Sequence, residues 1–306
     1  MKHAKFGLMT ATKYLIKAIW RFSSGLVTST LPLPERMKRY ESTTTDFLLD
    51  ESLPVYVRLD MRAGHSFCRG LDKPFDDDYS FAMREATKYL VDKTGAMLGY
   101  TQSDEISLVW QDCTKVPFGN RLFKLESVFA SMCTAAFILA AQKTKLKGKV
   151  ESNPPSFDCR AMNLPSMNEA ANMILWRVRD SKKNSITLLS LAHFSNKEIH
   201  GKNSDQKIEM LMDRKNVDWN KLPERYRLGT FMKKSLYQKV LTDSDLKRIP
   251  KKNLPPPSED GKYRVTRSKV VEFEIGRDVG GIANWPEVIF FGEKPRENLT
   301  SGGIGV

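Results

Sequence analysis

Three carboxylates stand where strand-like runs end. Asp60 closes the run Val55-Tyr56-Val57-Arg58-Leu59, and Asp104 and Glu105 lie between Ala96–Tyr100 and the alternating Ile106, Leu108 and Trp110. β-Branched and aromatic runs bounded by turn signals read as strands, and the short polar knot Ser103-Asp104-Glu105 reads as the tip of a hairpin. If the two strands are neighbours, Asp60 and Asp104 face each other. Such a pair repels itself unless cations sit between, and two divalent ions about 4 Å apart suit phosphoryl transfer. A turn-stabilising Asp beside an unrelated strand-end Asp has the same local spacing, so the rest of the chain must decide.

A second pair points to anions. Arg121 and Lys124 lie one turn apart at the start of a long apolar helix, where free backbone N–H groups add to their charge. A merely solvated helix start would look the same.

The elements that must position these residues follow in order. Lys38–Thr45 reads as a helix and Pro54 opens the first core strand. Tyr79–Thr94 is helical, with Asp76 or Asp77 as cap and Gly95 as stop. After the hairpin come a helix to about Gln142, a basic connector from Lys143 to Lys149, and a strand over Phe157–Met162. Asn168–Arg179 and Ile186–Ala192 read as two helices joined by Asp180–Asn184, and Asn203–Met212 as another. A β element begins at Arg227, and Tyr263–Ile275 alternates like an outer strand pair. Strand, helix, strand, strand is the opening half of a ferredoxin-like antiparallel sheet with helices on one face, an α+β class. The expected division is a basic N-terminal extension over 1–36, a catalytic domain over 37–240 and a smaller C-terminal segment over 241–306.

Composition narrows the partners. The chain has 306 residues, 41% of them hydrophobic, with a net charge of +13, which favours a polyanion such as nucleic acid or an acidic membrane surface. No segment is expected to reach the apolar length of a membrane span, so no membrane partner is expected. Cys68, Cys113, Cys133 and Cys159 lack zinc spacing and suit free thiols in a reducing compartment. Residues 1–34 carry Lys2, Lys5, Lys13, Lys17 and Arg21 and no acid. That resembles a mitochondrial transit peptide. A surface helix, or a true start at Met37, would read similarly, so a cytoplasmic location stays open.

Taken together, the motifs resemble a family. Arg58-Leu59-Asp60, Lys73-Pro74, Gly99-Tyr100-Thr101-Gln102-Ser103-Asp104-Glu105, Arg121-x-x-Lys124, Phe157-Asp158-x-Arg160, Trp176-Arg177-x-x-Asp180-x-x-x-Asn184, His193-Phe194-Ser195 and Gly229-Thr230-Phe231 occur in that order. They resemble the tRNA(His) guanylyltransferase-like enzymes from about Met37 to Pro295. The resemblance implies a polymerase-type palm and nucleotide addition to tRNA 5′ ends in the 3′→5′ direction, with ATP and GTP as substrates. It implies that Asp60, Asp104 and the Met61 carbonyl hold two Mg²⁺, with Glu105 in support. It assigns Lys73, Ser103, Arg121 and Lys124 to nucleotide triphosphates, and Asp180 and Asn184 to the second nucleotide and the RNA end. A homotetramer is expected by the same analogy.

Two departures stand out. The family usually has Gly where this chain has Met61, whose side chain is expected to crowd the site. The eukaryotic His-Ile-Asn-Asn-Leu-Tyr-Asn run is replaced by Lys182-Lys183-Asn184-Ser185-Ile186-Thr187-Leu188, as in bacterial-type relatives that resemble templated repair enzymes. The rival readings are a palm-type nucleotide cyclase and an inactive tRNA-binding protein.

Overall fold

The computed structural model describes residues 31–45, 47–276 and 279–297. The basic stripe expected before residue 31 lies outside them. The chain opens on α1 (Leu33–Thr45), followed by β1 (Val55–Met61), α2 (Asp77–Thr94), β2 (Leu98–Gln102) and β3 (Glu105–Trp110). Then come α3 (Leu122–Ala141), β4 (Phe157–Asn163), α4 (Met167–His193), α5 (Ser204–Lys215), β5 (Thr230–Val240) and β6 (Arg264–Phe273). Asp76 caps α2 by accepting the Tyr79 N–H at 2.9 Å, and Gly95 ends it in the left-handed region at φ 73°.

The strands form one antiparallel sheet in the order β4-β1-β3-β2-β5-β6. Its first four are the complete strand-helix-strand-strand-helix-strand unit of a ferredoxin-like palm. Successive side chains of β1 point to opposite faces. Val55, Val57, Leu59 and Met61 join α2 and α3 in one core, through Leu90, Phe129 and Phe137. Tyr56 joins the other core with Ile174, Val178, Ile186, Phe231, Trp285 and Ile289. Every residue of β2 and β3 is buried. Helices therefore cover both faces, where one was expected, and that explains the near-continuous apolar runs of the central strands.

Three other expectations change. Asp180–Asn184 is not a link, because α4 runs unbroken for 27 residues. Neither glycine nor proline interrupts it. Tyr263–Ile275 contains one long strand, β6, paired with β5 from Phe231↔Phe273 to Val240↔Arg264. The segment after residue 240 thus supplies the sixth strand and, through Trp285, Val288, Ile289 and Phe290, part of the second core. Lastly, α3 is long and apolar enough to cross a membrane by length and composition. Its apolar residues have another use here, since Leu125, Phe129, Cys133 and Phe137 are fully buried against the sheet.

Candidate active site

The antiparallel register brings the acids together. Asp60 lies directly opposite Glu105 on β3 and opposite Asp158 on β4. The Met61 N–H donates to the Asp104 carbonyl at 3.0 Å, which ties the end of β1 to the hairpin turn. Ser103 holds a positive φ of 49° in that turn. The Asp104 carboxylate rests against Gly64, where a Cβ would stand 2.1 Å from Oδ2. Gly64 is needed for that approach.

Burial, with like charges at close quarters, raises the pKa of these carboxyls. Burial pushes the Asp60 carboxyl above its usual value, and the charges of Asp104 and Asp158 add to the rise. Glu105 is raised by burial too, although the Arg177 guanidinium opposes the shift. Arg177 Nη1 donates to Glu105 Oε2 at 2.9 Å and its Nη2 donates to Asp180. The other Glu105 oxygen, Oε1, is buried without a hydrogen-bond partner.

Met61 does not crowd this centre. Strand alternation turns its side chain into the core, where it is 1% exposed and accepts a long contact from the Tyr79 hydroxyl at 3.9 Å. The backbone carbonyl is what the site can use. That removes the objection raised by a methionine in a glycine position.

A cavity of about 580 Å³ adjoins the acids, within the usual range for small-molecule sites. Lys73, Ser103, Asp104 and Asn184 line it, with His65, Ser181 and the stacked pair Phe75 and Tyr226. The Cys68 thiol also lines it, held up at about 11 by burial, so it stays protonated near neutral pH. Lys145 strengthens the cavity loop by pairing with Asp72 and, at 3.2 Å, with Asp76, and Lys149 donates to the Arg69 carbonyl at 2.7 Å. These two lysines of the basic connector are therefore structural straps.

Arg121 and Lys124 are not at this cavity. Leu48 bridges to Arg121, the Leu122 N–H donates to Phe47, and Asp50 N–H donates to Asn163. Val55, Trp110 and Asn163 are paired at that end of the sheet, so α3 begins about 20 Å from the acids. Arg121 donates to the Phe118 carbonyl at 3.1 Å and Lys124 stands over the Phe118 ring. Asp180 belongs to the Arg177 network, and Asn184 to the cavity wall. Arg58 and Arg160, given no separate role from the sequence, directly oppose each other two register rows from Asp60 and Asp158, on the same face of the sheet. Both belong to the sequence motifs, but only strand pairing makes them a couple.

The acids can accept divalent metal. Asp60 faces two other carboxylates, a local excess of negative charge, and Glu105 keeps one buried oxygen without a partner beside its Arg177 pair. Among the described residues no three His, Cys, Asp or Glu side chains could hold an ion unaided. An ion here would complete its shell with the Met61 carbonyl and substrate phosphate oxygens.

A palm sheet with acids at the edge of a nucleotide-sized cavity is the frame of a nucleotidyltransferase. Residues 34–165 match the model of the tRNAHis guanylyltransferase family. The tRNA(His) guanylyltransferase of Schizosaccharomyces pombe is 30% identical over 209 residues, which cover 64% of this chain and 78% of that protein. A bacterial tRNA(His) guanylyltransferase-like protein in complex with ATP superposes with a TM-score of 0.61 at 38% identity, covering 67% of this chain and 87% of the other. One in complex with GTP gives 0.55 at 35%, covering 67% and 86%. The chain belongs to the tRNAHis guanylyltransferase family.

Proposed function

We propose that the protein adds nucleotides to the 5′ end of tRNA in the 3′→5′ direction. The observation that carries this reading is the approach of Asp60 to Asp104, whose carbonyl accepts the N–H of the adjoining Met61, beside a cavity lined by Lys73, Ser103 and Asn184. Relatives in complex with ATP and with GTP support nucleotides as its occupants.

Asp60, Asp104 and the Met61 carbonyl would hold two Mg²⁺, which supply neutralisation of phosphate oxygens and a lowered pKa for a bound hydroxyl. Lys73 and Ser103 hold the triphosphate by charge and by hydrogen bond. Asn184 fixes the second nucleotide against α4. Arg58 and Arg160 face the phosphates of the RNA end, which offsets the repulsion of two guanidiniums in one cross-strand pair. The incoming 3′-hydroxyl then attacks the phosphorus of the activated 5′ end in line: the new phosphodiester bond forms as the phosphoanhydride bond to the activating group breaks, that group departs with its phosphate, and the hydroxyl proton passes to solvent.

The added base is chosen by pairing with the opposite acceptor strand. Nothing in Lys182–Leu188 replaces the eukaryotic run, and phosphate contacts position RNA without reading it. The test uses purified protein, Mg²⁺, each labelled nucleotide and tRNAs lacking one 5′ nucleotide, with the facing base changed to each of the four. Addition that follows the facing base supports templating; G added regardless would favour the tRNA(His)-type reaction. A homotetramer belongs to the same proposal and is read by light scattering.

A further inference from the structure

We infer that Arg177 is a positioning residue that fixes the nucleotide-facing stripe of α4 relative to the acids; the inference rests on the function proposed above. Arg177 is 6% exposed and joins two elements with different tasks. Through Nη1 it grips Glu105, the neighbour of Asp104 and the cross-strand partner of Asp60. Through Nη2 it grips Asp180 on its own helix, one turn on.

The residues at i+4, i+7, i+8 and i+11 from Arg177 are Ser181, Asn184, Ser185 and Leu188, and all four line the cavity. That spacing is one helical stripe. Holding Arg177 therefore sets both the rotation and the height of the cavity wall. An apolar residue could pack between α4 and the sheet without the desolvation that a buried guanidinium suffers. The guanidinium adds direction: its planar fork ties two carboxylates at fixed angles, which a lysine ammonium does not. Asp180 and Glu105 share one cation, so the acids on β3 and the polar side chains of α4 keep one relative placement.

The experiment compares wild type with Arg177→Lys, Arg177→Met and the double variant Glu105→Gln/Arg177→Met. Three quantities are read: thermal midpoint, ATP and GTP affinity by calorimetry, and kcat and KM for addition to a 5′-truncated tRNA. Arg177→Met leaves a buried acid unpaired and is expected to lose stability. The double variant restores folding by making both groups neutral. Both Arg177→Lys and the folded double variant are expected to lose nucleotide affinity and kcat by about tenfold or more, the usual effect of removing a supporting partner. Wild-type kcat, KM and nucleotide affinity in either variant would overturn the inference and reduce Arg177 to charge compensation. If wild type itself adds nothing to any tRNA, the reaction assignment fails. The calorimetric comparison then decides the positioning role separately.

Discussion

The two ends of the palm sheet use the same strands for opposite purposes. At one end, Asp60, Asp104, Glu105 and Asp158 crowd together and burial drives two of them upward in pKa. At the other, Val55, Trp110 and their neighbours are closed in by Phe129 and the start of α3. Trp110 donates to the Thr94 carbonyl and satisfies its one polar atom. The acidic end persists because the closed end and both helix layers hold the strands in register.

This contrast can be broken most severely at the acids. Asp60→Ala and Asp104→Ala are expected to cut nucleotide addition on the order of a thousandfold or more while circular dichroism shows the fold intact. Near-normal addition by either would end the assignment of this end as catalytic. Gly64→Ala forces a methyl into the Asp104 carboxylate. Displacement of about 1 Å costs roughly a hundredfold in rate, so kcat is expected to fall that far with the fold intact.

A gentler test concerns pH. Asp60 has a folded-state pKa above its unfolded value near 3.8, so ionising it costs native stability once the pH exceeds that value. Asp60→Asn is expected to raise the melting temperature of metal-free protein by a few degrees at pH 7. The gain should vanish below about pH 4, where Asp60 is protonated in both states. A gain that persists at pH 3 would assign it to packing. The smallest effect belongs to the closed end. Arg121→Ala and Lys124→Ala are expected to change nucleotide KM less than Lys73→Ala does, and to act instead on tRNA affinity and its salt dependence. A KM effect matching that of Lys73→Ala would place them at a nucleotide after all.

The legible parts of the sequence were local. The hairpin at Ser103-Asp104, the cap at Asp76 and the strand ending at Asp60 each rest on neighbouring residues, and each is present. Phase along β1 also decides Met61, yet its inward direction follows only once Val57 and Leu59 are known to share its face. What was missed required long-range partners. Asp180–Asn184 is polar enough to resemble a link, but Ser181 and Ser185 are buried on α4, and Ser185 accepts the Trp219 indole N–H. Arg121 and Lys124 have the right spacing for an anion and the wrong end of the sheet, which only strand register discloses.

The unbroken course of α4 has a mechanical consequence. At 27 residues it is a beam about 40 Å long, seated at its first half on the sheet core and lining the cavity with its second. No glycine or proline lies within it to serve as a hinge. On the function proposed above, any adjustment of the cavity to its nucleotide would fall to the opposite wall, the segment from Gly64 to Asp76. There the fastenings are the exposed lysine straps Lys145 and Lys149, which are weak individually and quick to release. One wall is a single continuous helix, and the other is held by separate side-chain ties.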